Sequence, residues 1–173
     1  MVKAIEAKLA IHELHARYTD AFFRKSEEDY RQCWTADGEW IAFGRSTAGR
    51  EEIVAFWRTL MKDRHRIWHA PQAVIVDVQG DRATGRVYVG ETVTATNGTP
   101  RTVLGIYHDR YALDGDRWRF ARRWWSLAYL GPADMSGRYW ETAPMGSPPH
   151  FASWDAPNTP TLAEVSDYTK TLG

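Results

Sequence analysis

Residues 83–96 read ATGRVYVGETVTAT, and this stretch decides the class of fold. Apolar and polar residues alternate along it, as in a β-strand with one buried face. Stretches at about residues 72–79, 101–113 and 117–130 have the same period of two and are rich in Val, Thr, Tyr and Trp. The four stretches are separated by three turn signals, which are Gln79-Gly80-Asp81, Asn97-Gly98 and Asp114-Gly115-Asp116. The pattern predicts an antiparallel meander.

The residues before the meander predict helices. Apolar residues recur at helical spacing along residues 3–23, which indicates one amphipathic helix. Ser26 and the acidic residues after it are typical of the start of a short helix that runs to about Trp34. A strand over 39–43 and a third helix that begins near Gly49 follow. The sequence therefore predicts an α+β fold, with three N-terminal helices packed on a curved, mainly antiparallel sheet.

Length and composition narrow the classes of function. The 173 residues are enough for one domain. Lys and Arg together number 22 and so do Asp and Glu, which argues against a protein that grips nucleic acid or an acidic membrane. Because no apolar run reaches the length of a membrane span and the N-terminus is amphipathic, we expect a cytoplasmic protein. The nine Trp predict an unusually aromatic interior.

The composition changes after Leu130. Six of the eight prolines follow this residue, together with Tyr139, Trp140, Phe151 and Trp154. This aromatic content is too high for a free tail. We therefore expect a domain over residues 1–130 and an arm over residues 131–173 that packs on the body, on a pocket mouth or on a partner subunit.

Six blocks accompany these elements in a fixed order. They are AIHELHARY at residues 10–18, CWTADGEW at 33–40, GREEI at 49–53, the isolated His69, GIYHDRY at 105–111 and RWRFARR at 117–123. Over about residues 4–130 their spacing resembles the SnoaL-like branch of the nuclear-transport-factor-2-like superfamily. The resemblance implies a cone-shaped α+β barrel around one hydrophobic pocket. Its members include dehydratases, dehydrochlorinases, polyketide cyclases and dioxygenase small subunits, so the fold alone does not choose a reaction.

The resemblance also implies candidate catalytic residues. In the dehydratase and dehydrochlorinase members, a His on the strand after the third helix removes a proton, and an Asp near the end of the first helix orients it. His69 matches that His, whereas Phe23 stands where the Asp is expected. Arg123 matches an Arg that helps the leaving group depart in the dehydrochlorinase. Tyr18 stands where that enzyme has a cationic residue.

The residues themselves offer two carboxylates in place of the missing Asp. A neutral His69 is a natural proton acceptor at neutral pH, although a histidine can also be hydrogen-bonded in the core. Asp20 lies three residues before Phe23 on the same helix, where it either faces the pocket or is solvated. Glu91 shares a strand face with three valines, where burial would raise its pKa.

Glu91 could therefore act as an acid or pair with Arg123 or His69. Alternatively, Gly90 marks a bulge that turns Glu91 outward. His108 and Tyr107 lie on opposite faces of their strand, so one of them lines the pocket if the strand borders it. The candidate substrate-binding residues are Tyr18, Phe22, Phe23, Trp40, Trp57, Tyr107 and His108. We expect no metal site, since the spacing of His65 and His69 straddles a loop and the start of a strand.

We hypothesise a cofactor-independent lyase or isomerase that acts on a hydrophobic, aromatic or polycyclic small molecule. His69 would abstract a proton, and Arg123 with a tyrosine or carboxylate would stabilise the oxyanion or leaving group. The alternative is a non-catalytic protein that binds a small molecule or assembles an oligomer. A carboxylate beside the ring of His69 would favour the first hypothesis. We also expect a homodimer or homotrimer, since family members commonly pair through the sheet.

Overall fold

The computed structural model describes residues 2–140 and 160–171. The helices of these ranges are α1 (Val2–Arg24), α2 (Glu27–Gln32), α3 (Arg50–Lys62) and α4 (Leu162–Lys170). The strands are β1 (Trp34–Ala42), β2 (Arg45–Ala48), β3 (Arg64–Gln79), β4 (Arg82–Ala95), β5 (Pro100–Asp114), β6 (Arg117–Gly131) and β7 (Arg138–Tyr139). None of the helices in the described ranges combines the length and the apolar content needed to cross a membrane.

The strands form one mixed sheet in the order β2-β1-β6-β5-β4-β3, with β7 added to β6. The predicted α+β class and the antiparallel meander of β3 to β6 are confirmed. One neighbouring pair, β1 and β6, is parallel. The sheet does not close into the barrel that the resemblance implies, because its end strands β2 and β3 do not pair. Helix α1 packs against β3 and helix α3 packs against β1, so the helices contact the sheet near its two ends.

Two of the predicted helices, α2 and α3, begin at residues that the sequence marks as helix starts. Ser26 caps α2, and its hydroxyl accepts a hydrogen bond from the backbone N–H of Asp29 at 3.4 Å. Gly49, at φ 90°, allows the chain to turn into α3. Strand β2 and helix α4 were not predicted, although Thr161 and Glu164 form a capping box at the start of α4.

The described part of the C-terminal segment packs on the body. Strand β7 extends the sheet beside β6. Trp140 is buried and makes an edge contact with Tyr168 of α4, with ring centroids 5.9 Å apart. Residues 141–159, with Phe151 and Trp154, lie outside the described residues. The division into a domain and an arm stays a prediction.

A buried ion pair joins β5 to β6 in the middle of the core. The Arg123 guanidinium donates two hydrogen bonds to the Asp109 carboxylate, at 2.9 and 3.1 Å, and neither side chain is exposed. Three aromatic rings surround the guanidinium, with centroids at 3.7 Å for Tyr107, 4.0 Å for Phe120 and 4.3 Å for Tyr18. Such contacts stabilise a cation that has left water.

Two further polar groups connect this pair to α1. The Tyr111 hydroxyl donates to Asp109 at 3.1 Å and lies 2.8 Å from Nε2 of His15. Since the single hydroxyl hydrogen is used on Asp109, His15 must donate from Nε2. Burial lowers the pKa of His15 well below its usual range, so this imidazole is neutral. The chain from Arg123 to His15 therefore ties one helix and two strands together.

Removal of the Asp109 carboxylate should strongly destabilise the fold. The variant Asp109→Ala leaves the Arg123 charge buried without its partner, which costs about 3–5 kcal/mol of unfolding free energy. Urea unfolding followed by tryptophan fluorescence measures this loss. Asp114→Ala is the matched control on the same strand, because Asp114 forms an ion pair with Arg119 while half exposed. Equal losses in the two variants would contradict the role given to the buried pair.

Candidate active site

A central cavity of about 300 Å³ lies between the sheet, the end of α3 and helix α4. Phe22 of α1 and Trp40 of β1 form part of its wall. Side chains of α4, among them Val165, line its outer end. The other apolar lining residues are Phe43, Leu60, Met61, Val93, Val103, Trp125, Leu127, Leu130 and Leu162. The size and apolar lining suit a small organic molecule.

Glu91 places a carboxyl group in this apolar wall. It alternates with buried valines along β4 and is itself only 9% exposed. The pairing of β4 with β3 continues without a shift through Gly90 and Glu91. A bulge does occur, but on β3, between Pro71 and Ala73. The alternative that Gly90 turns Glu91 outward is therefore wrong, since the irregularity falls on the neighbouring strand.

The structure brings His69 next to Glu91. The two residues are cross-strand partners, and Nε2 of His69 lies 3.7 Å from Oε1 of Glu91. On the other side of the ring, Nδ1 lies 3.3 Å from the hydroxyl oxygen of Thr19. The ring stacks on Phe22 with centroids 5.1 Å apart. His69 is thus held between α1 and the carboxyl group.

Burial changes the protonation of both groups. It lowers the pKa of His69 to about 3, with a further contribution from the positive charge of Arg123. The imidazole is therefore uncharged at neutral pH, and the contact with Glu91 is not an ion pair. Burial also raises the pKa of Glu91, although the charges of Arg64 and Arg123 partly offset this effect. A carboxyl group with a raised pKa is a stronger base once it is ionised.

Tyr107 borders the same cavity from β5. Burial raises the pKa of its phenol well above the usual range, and the nearby Tyr18 and Glu91 act in the same direction. Tyr107 therefore keeps its proton and can donate a hydrogen bond. The sequence left open which face of this strand points inward, and the structure shows that it is the one with Tyr107, Asp109 and Tyr111, which are all buried.

His108 lies on the other face of β5. Its cross-strand partners are Arg86 and Trp124, and it is absent from the lining of the central cavity. Burial, with a smaller contribution from Arg86, lowers the pKa of His108 to about 4. The period of two that puts Tyr107 inside puts His108 outside.

Arg123 and Asp20 are not positioned as expected. Arg123 is enclosed by rings and paired with Asp109, and it does not line the cavity. The side chain of Asp20 is 57% exposed and pairs with Arg24 at 2.7 Å. Both Asp20 and Phe23 border a separate outer groove between α1 and β3, which His69 also reaches. The physical reason is that both residues lie beside the buried stripe of α1 rather than in it.

Three of the expected wall residues lie elsewhere. Phe23 is 59% exposed and contacts Trp68, so it is not a wall of the central cavity. Trp57 is buried but stacks on Tyr30 behind that wall, with centroids 4.6 Å apart. Tyr18 is buried against the guanidinium of Arg123 instead of the cavity. Phe22, Trp40 and Tyr107 do line the cavity.

The sequence analysis missed two contacts. Thr19 approaches His69 from one helical turn before Phe23, and the i, i+4 relation could have identified it. Asp109 alternates with two tyrosines on one strand face, which is a pattern of burial with polar partners. Its pairing with Arg123 across β5 and β6 needed the strand register.

A model of the SnoaL-like domain matches residues 3–124. The chain belongs to this family. The match covers most of the chain and includes His69, Glu91 and Tyr107, whereas the cavity residues Trp125, Leu127 and Leu130 of β6 follow it. No curated protein matches the chain at a significant level.

Solved structures share the fold at low sequence identity. A hexachlorocyclohexane dehydrochlorinase, LinA-type3 from Novosphingobium barchaimii, is 17% identical, with 79% of this chain and 94% of that chain covered and a TM-score of 0.68. A scytalone dehydratase candidate from Novosphingobium aromaticivorans is 17% identical, with 86% and 99% covered and a TM-score of 0.71. Rv3472, a protein of unknown function from Mycobacterium tuberculosis, is 26% identical, with 79% of each chain covered and a TM-score of 0.68.

The raised pKa of Glu91 predicts a pH-dependent effect of Glu91→Gln on stability. Above the usual glutamate pKa of 4.5, the unfolded chain releases a proton that the folded chain keeps, so the wild type loses stability as the pH rises. The variant should gain relative to the wild type between about pH 4 and about pH 8, by about 1.4 kcal/mol for every tenfold change in the acid dissociation constant. Urea unfolding at both pH values measures the gain.

Glu52→Gln is the control for this experiment, because Glu52 is exposed on α3. Its effect on the free energy of unfolding should be similar at the two pH values. A pH-independent effect of Glu91→Gln would show that the carboxyl group titrates normally in the folded protein.

Proposed function

We propose that the protein is a cofactor-independent lyase or isomerase that removes a proton from a hydrophobic, aromatic small molecule in the central cavity. One observation carries this proposal. A carboxyl group, Glu91, lies in a cavity wall that is otherwise largely aromatic and aliphatic, beside an uncharged histidine. A protein that only encloses an apolar ligand gains nothing from a buried acid, which costs free energy when it ionises.

We assign the role of general base to Glu91 rather than to His69. The ring of His69 is enclosed by Phe22, Thr19 and Tyr18 and is absent from the cavity lining, whereas Glu91 borders the cavity. His69 is then a positioning residue that acts through Glu91. Its neutral imidazole supplies a polar neighbour for the carboxylate without adding a charge.

The reaction is an elimination with one proton carrier. The Glu91 carboxylate takes a proton from a C–H bond next to an activating group, and the C–H electron pair forms the new double bond as the bond to the leaving group breaks. In a dehydration, the protonated Glu91 then returns its proton to the departing hydroxide, which leaves as water. Tyr107 donates a hydrogen bond to the oxygen on which negative charge develops. The buried Arg123 adds a favourable field behind Tyr107.

The family supports this class of chemistry. The names of the similar LinA-type3 protein and of the scytalone dehydratase candidate both denote eliminations. Family membership without the helix-borne Asp also supports a second candidate, a protein that binds a small molecule without transforming it. Phe23 stands at the position of the expected Asp and is exposed. Among the described residues, no acidic side chain of α1 lines the cavity.

A neutral aromatic probe tests the proposed base directly. 5-Nitrobenzisoxazole opens when a base removes its ring C–H proton and the N–O bond breaks, and the phenolate product is coloured. The wild type should accelerate this reaction, and Glu91→Gln should lower kcat/KM by about a hundredfold or more. The exposed Glu52→Gln serves as the control and should keep the wild-type rate. The rate should rise with pH through a pKa above 4.5, since the base must be ionised.

His69→Ala tests the positioning role. Loss of the polar neighbour should raise the pKa of Glu91 further and move the inflection of the rate profile to higher pH. A merely structural His69 would change the rate without moving the inflection. If Glu91→Gln keeps the wild-type rate, or if the wild type gives no acceleration while aromatic compounds still bind, the second candidate function replaces the first.

The oligomeric state and the cellular location of the protein remain predictions. The homodimer or homotrimer can be checked by light scattering, where a mass near the 19.9 kDa of one chain would contradict it. The cytoplasmic location and the absence of a nucleic-acid partner are predictions that rest on composition.

A further inference from the structure

Two arginines lie at the outer part of the central cavity without a carboxylate partner. Arg64 begins β3, and Arg101 lies near the start of β5. Among the described residues, neither side chain forms an ion pair within 4.0 Å. Arg64 donates one hydrogen bond to the carbonyl oxygen of Leu60 at 2.8 Å. The Nε atom of Arg101 is buried and has no hydrogen-bond partner.

This arrangement leaves a buried donor of the protein without an acceptor from the described residues. A buried guanidinium N–H without an acceptor loses its hydration and gains no protein contact in return. The two charges also repel each other, and burial together with the charge of Arg64 lowers the pKa of Arg101. Several other arginines of the described residues are paired, as Arg58 is with Glu27 and Arg122 is with Glu39, whereas Arg86 also has a buried Nε without a hydrogen-bond partner but does not line this cavity. An anionic ligand would satisfy both groups at once.

We infer that the cavity takes an organic monoanion, in which a carboxylate held by Arg64 and Arg101 is attached to an apolar ring system. The inference rests on the proposed function, since it takes the central cavity as the substrate site. The apolar ring would lie against side chains such as Trp40, Trp125 and Leu127. The guanidinium groups offer forked donors that match a carboxylate.

The charges around the cavity favour one negative charge on the ligand rather than two. The charged residues that line it within the described ranges are Asp63, Arg64, Glu91 and Arg101. The two arginines and Asp63 leave one net positive charge at the outer end. Glu91 is ionised when it acts as the base, but strand register sets it about 7 Å along the sheet from Arg101, and among the described residues it forms no ion pair with either arginine. A phosphate dianion would exceed the available charge.

Strand register sets the distance between the anion and the base. Glu91 is the cross-strand partner of Val103, and Arg101 is two residues from Val103 on the same strand face. Two residues of a strand span about 7 Å. A carboxylate bound at Arg101 would therefore leave room for about one ring before the atom that faces Glu91. The substrate class is an aromatic or alicyclic acid whose reactive C–H lies across the ring from its carboxylate.

A pair of isosteric compounds tests the charge requirement. 2-Naphthoate and 2-naphthamide share one ring system and differ in the carboxylate, and isothermal titration calorimetry gives the Kd of each. The wild type should bind the acid about tenfold or more tightly than the amide, as expected for hydrogen bonds between charged groups. Raising NaCl from about 50 to about 500 mM should weaken only the acid.

Variants of Arg64 and Arg101 test whether these two residues cause the preference for the acid over the amide. Arg101→Gln and Arg64→Gln should each remove most of the preference for the acid and leave the affinity for the amide unchanged. Arg66→Gln is the matched control, because Arg66 is exposed on β3 and does not line the cavity. Equal affinities for acid and amide in the wild type, or binding of neither compound, would overturn the inference. So would equal losses of acid affinity in Arg66→Gln and in the two cavity variants.

The binding test of the anion site and the rate test of the proposed elimination can fail independently of each other. The elimination probe carries no negative charge, so its rate does not depend on an anion site. Selective binding of naphthoate without turnover of the probe would refute the proposed chemistry and keep the anion site. Turnover that depends on Glu91, with equal affinity for acid and amide, would keep the chemistry and refute the anion site.

Discussion

The ion pair between Arg123 and Asp109 is the constraint on which the rest of the structure depends. A guanidinium with no exposed surface must keep a carboxylate partner, and this requirement sets the register of β5 against β6. The rings of Tyr18, Tyr107 and Phe120 close around the cation, so the aromatic core is organised by a charge as well as by apolar contact. Through Tyr111 the same constraint reaches His15 and thereby α1.

The ion pair also explains why two buried carboxyl groups on neighbouring strands, Asp109 and Glu91, have different roles. Asp109 lies against the guanidinium and accepts hydrogen bonds that offset part of the cost of its burial, although burial still raises its pKa. Burial raises the pKa of Glu91 as well, but its polar neighbour is an uncharged imidazole at 3.7 Å and no guanidinium donates to it. One acid is thus structural and the other is suited to proton transfer. The charge of Arg123 also helps to keep His69 neutral, because it opposes a second buried cation.

Much of the fold could be predicted, and the candidate site only in part. Alternation along residues 83–96 correctly puts Glu91 among buried valines, and helical spacing correctly gives the extent of α1. The same spacing could not tell whether Asp20 and Phe23, at the edge of the apolar stripe, face inward, and both are exposed. The resemblance implies that Arg123 meets the leaving group, and the residue spacing gives no sign that Asp109 pairs with it from the adjacent strand. Whether these residues perform the proposed chemistry stays a prediction.

By itself the sequence determined the three N-terminal helices, the four strands of the meander and the inward face of β4, because periodicity and capping are local properties of the chain. It also determined family membership, since the order of the motifs is a property of the chain. Only the tertiary structure decided which polar groups meet. Glu91 reaches His69 through the pairing of β4 with β3, and Thr19 reaches the same ring from α1. These contacts depend on register and on helix placement, and they set the pKa values through burial and neighbouring charge, neither of which is encoded in residue spacing.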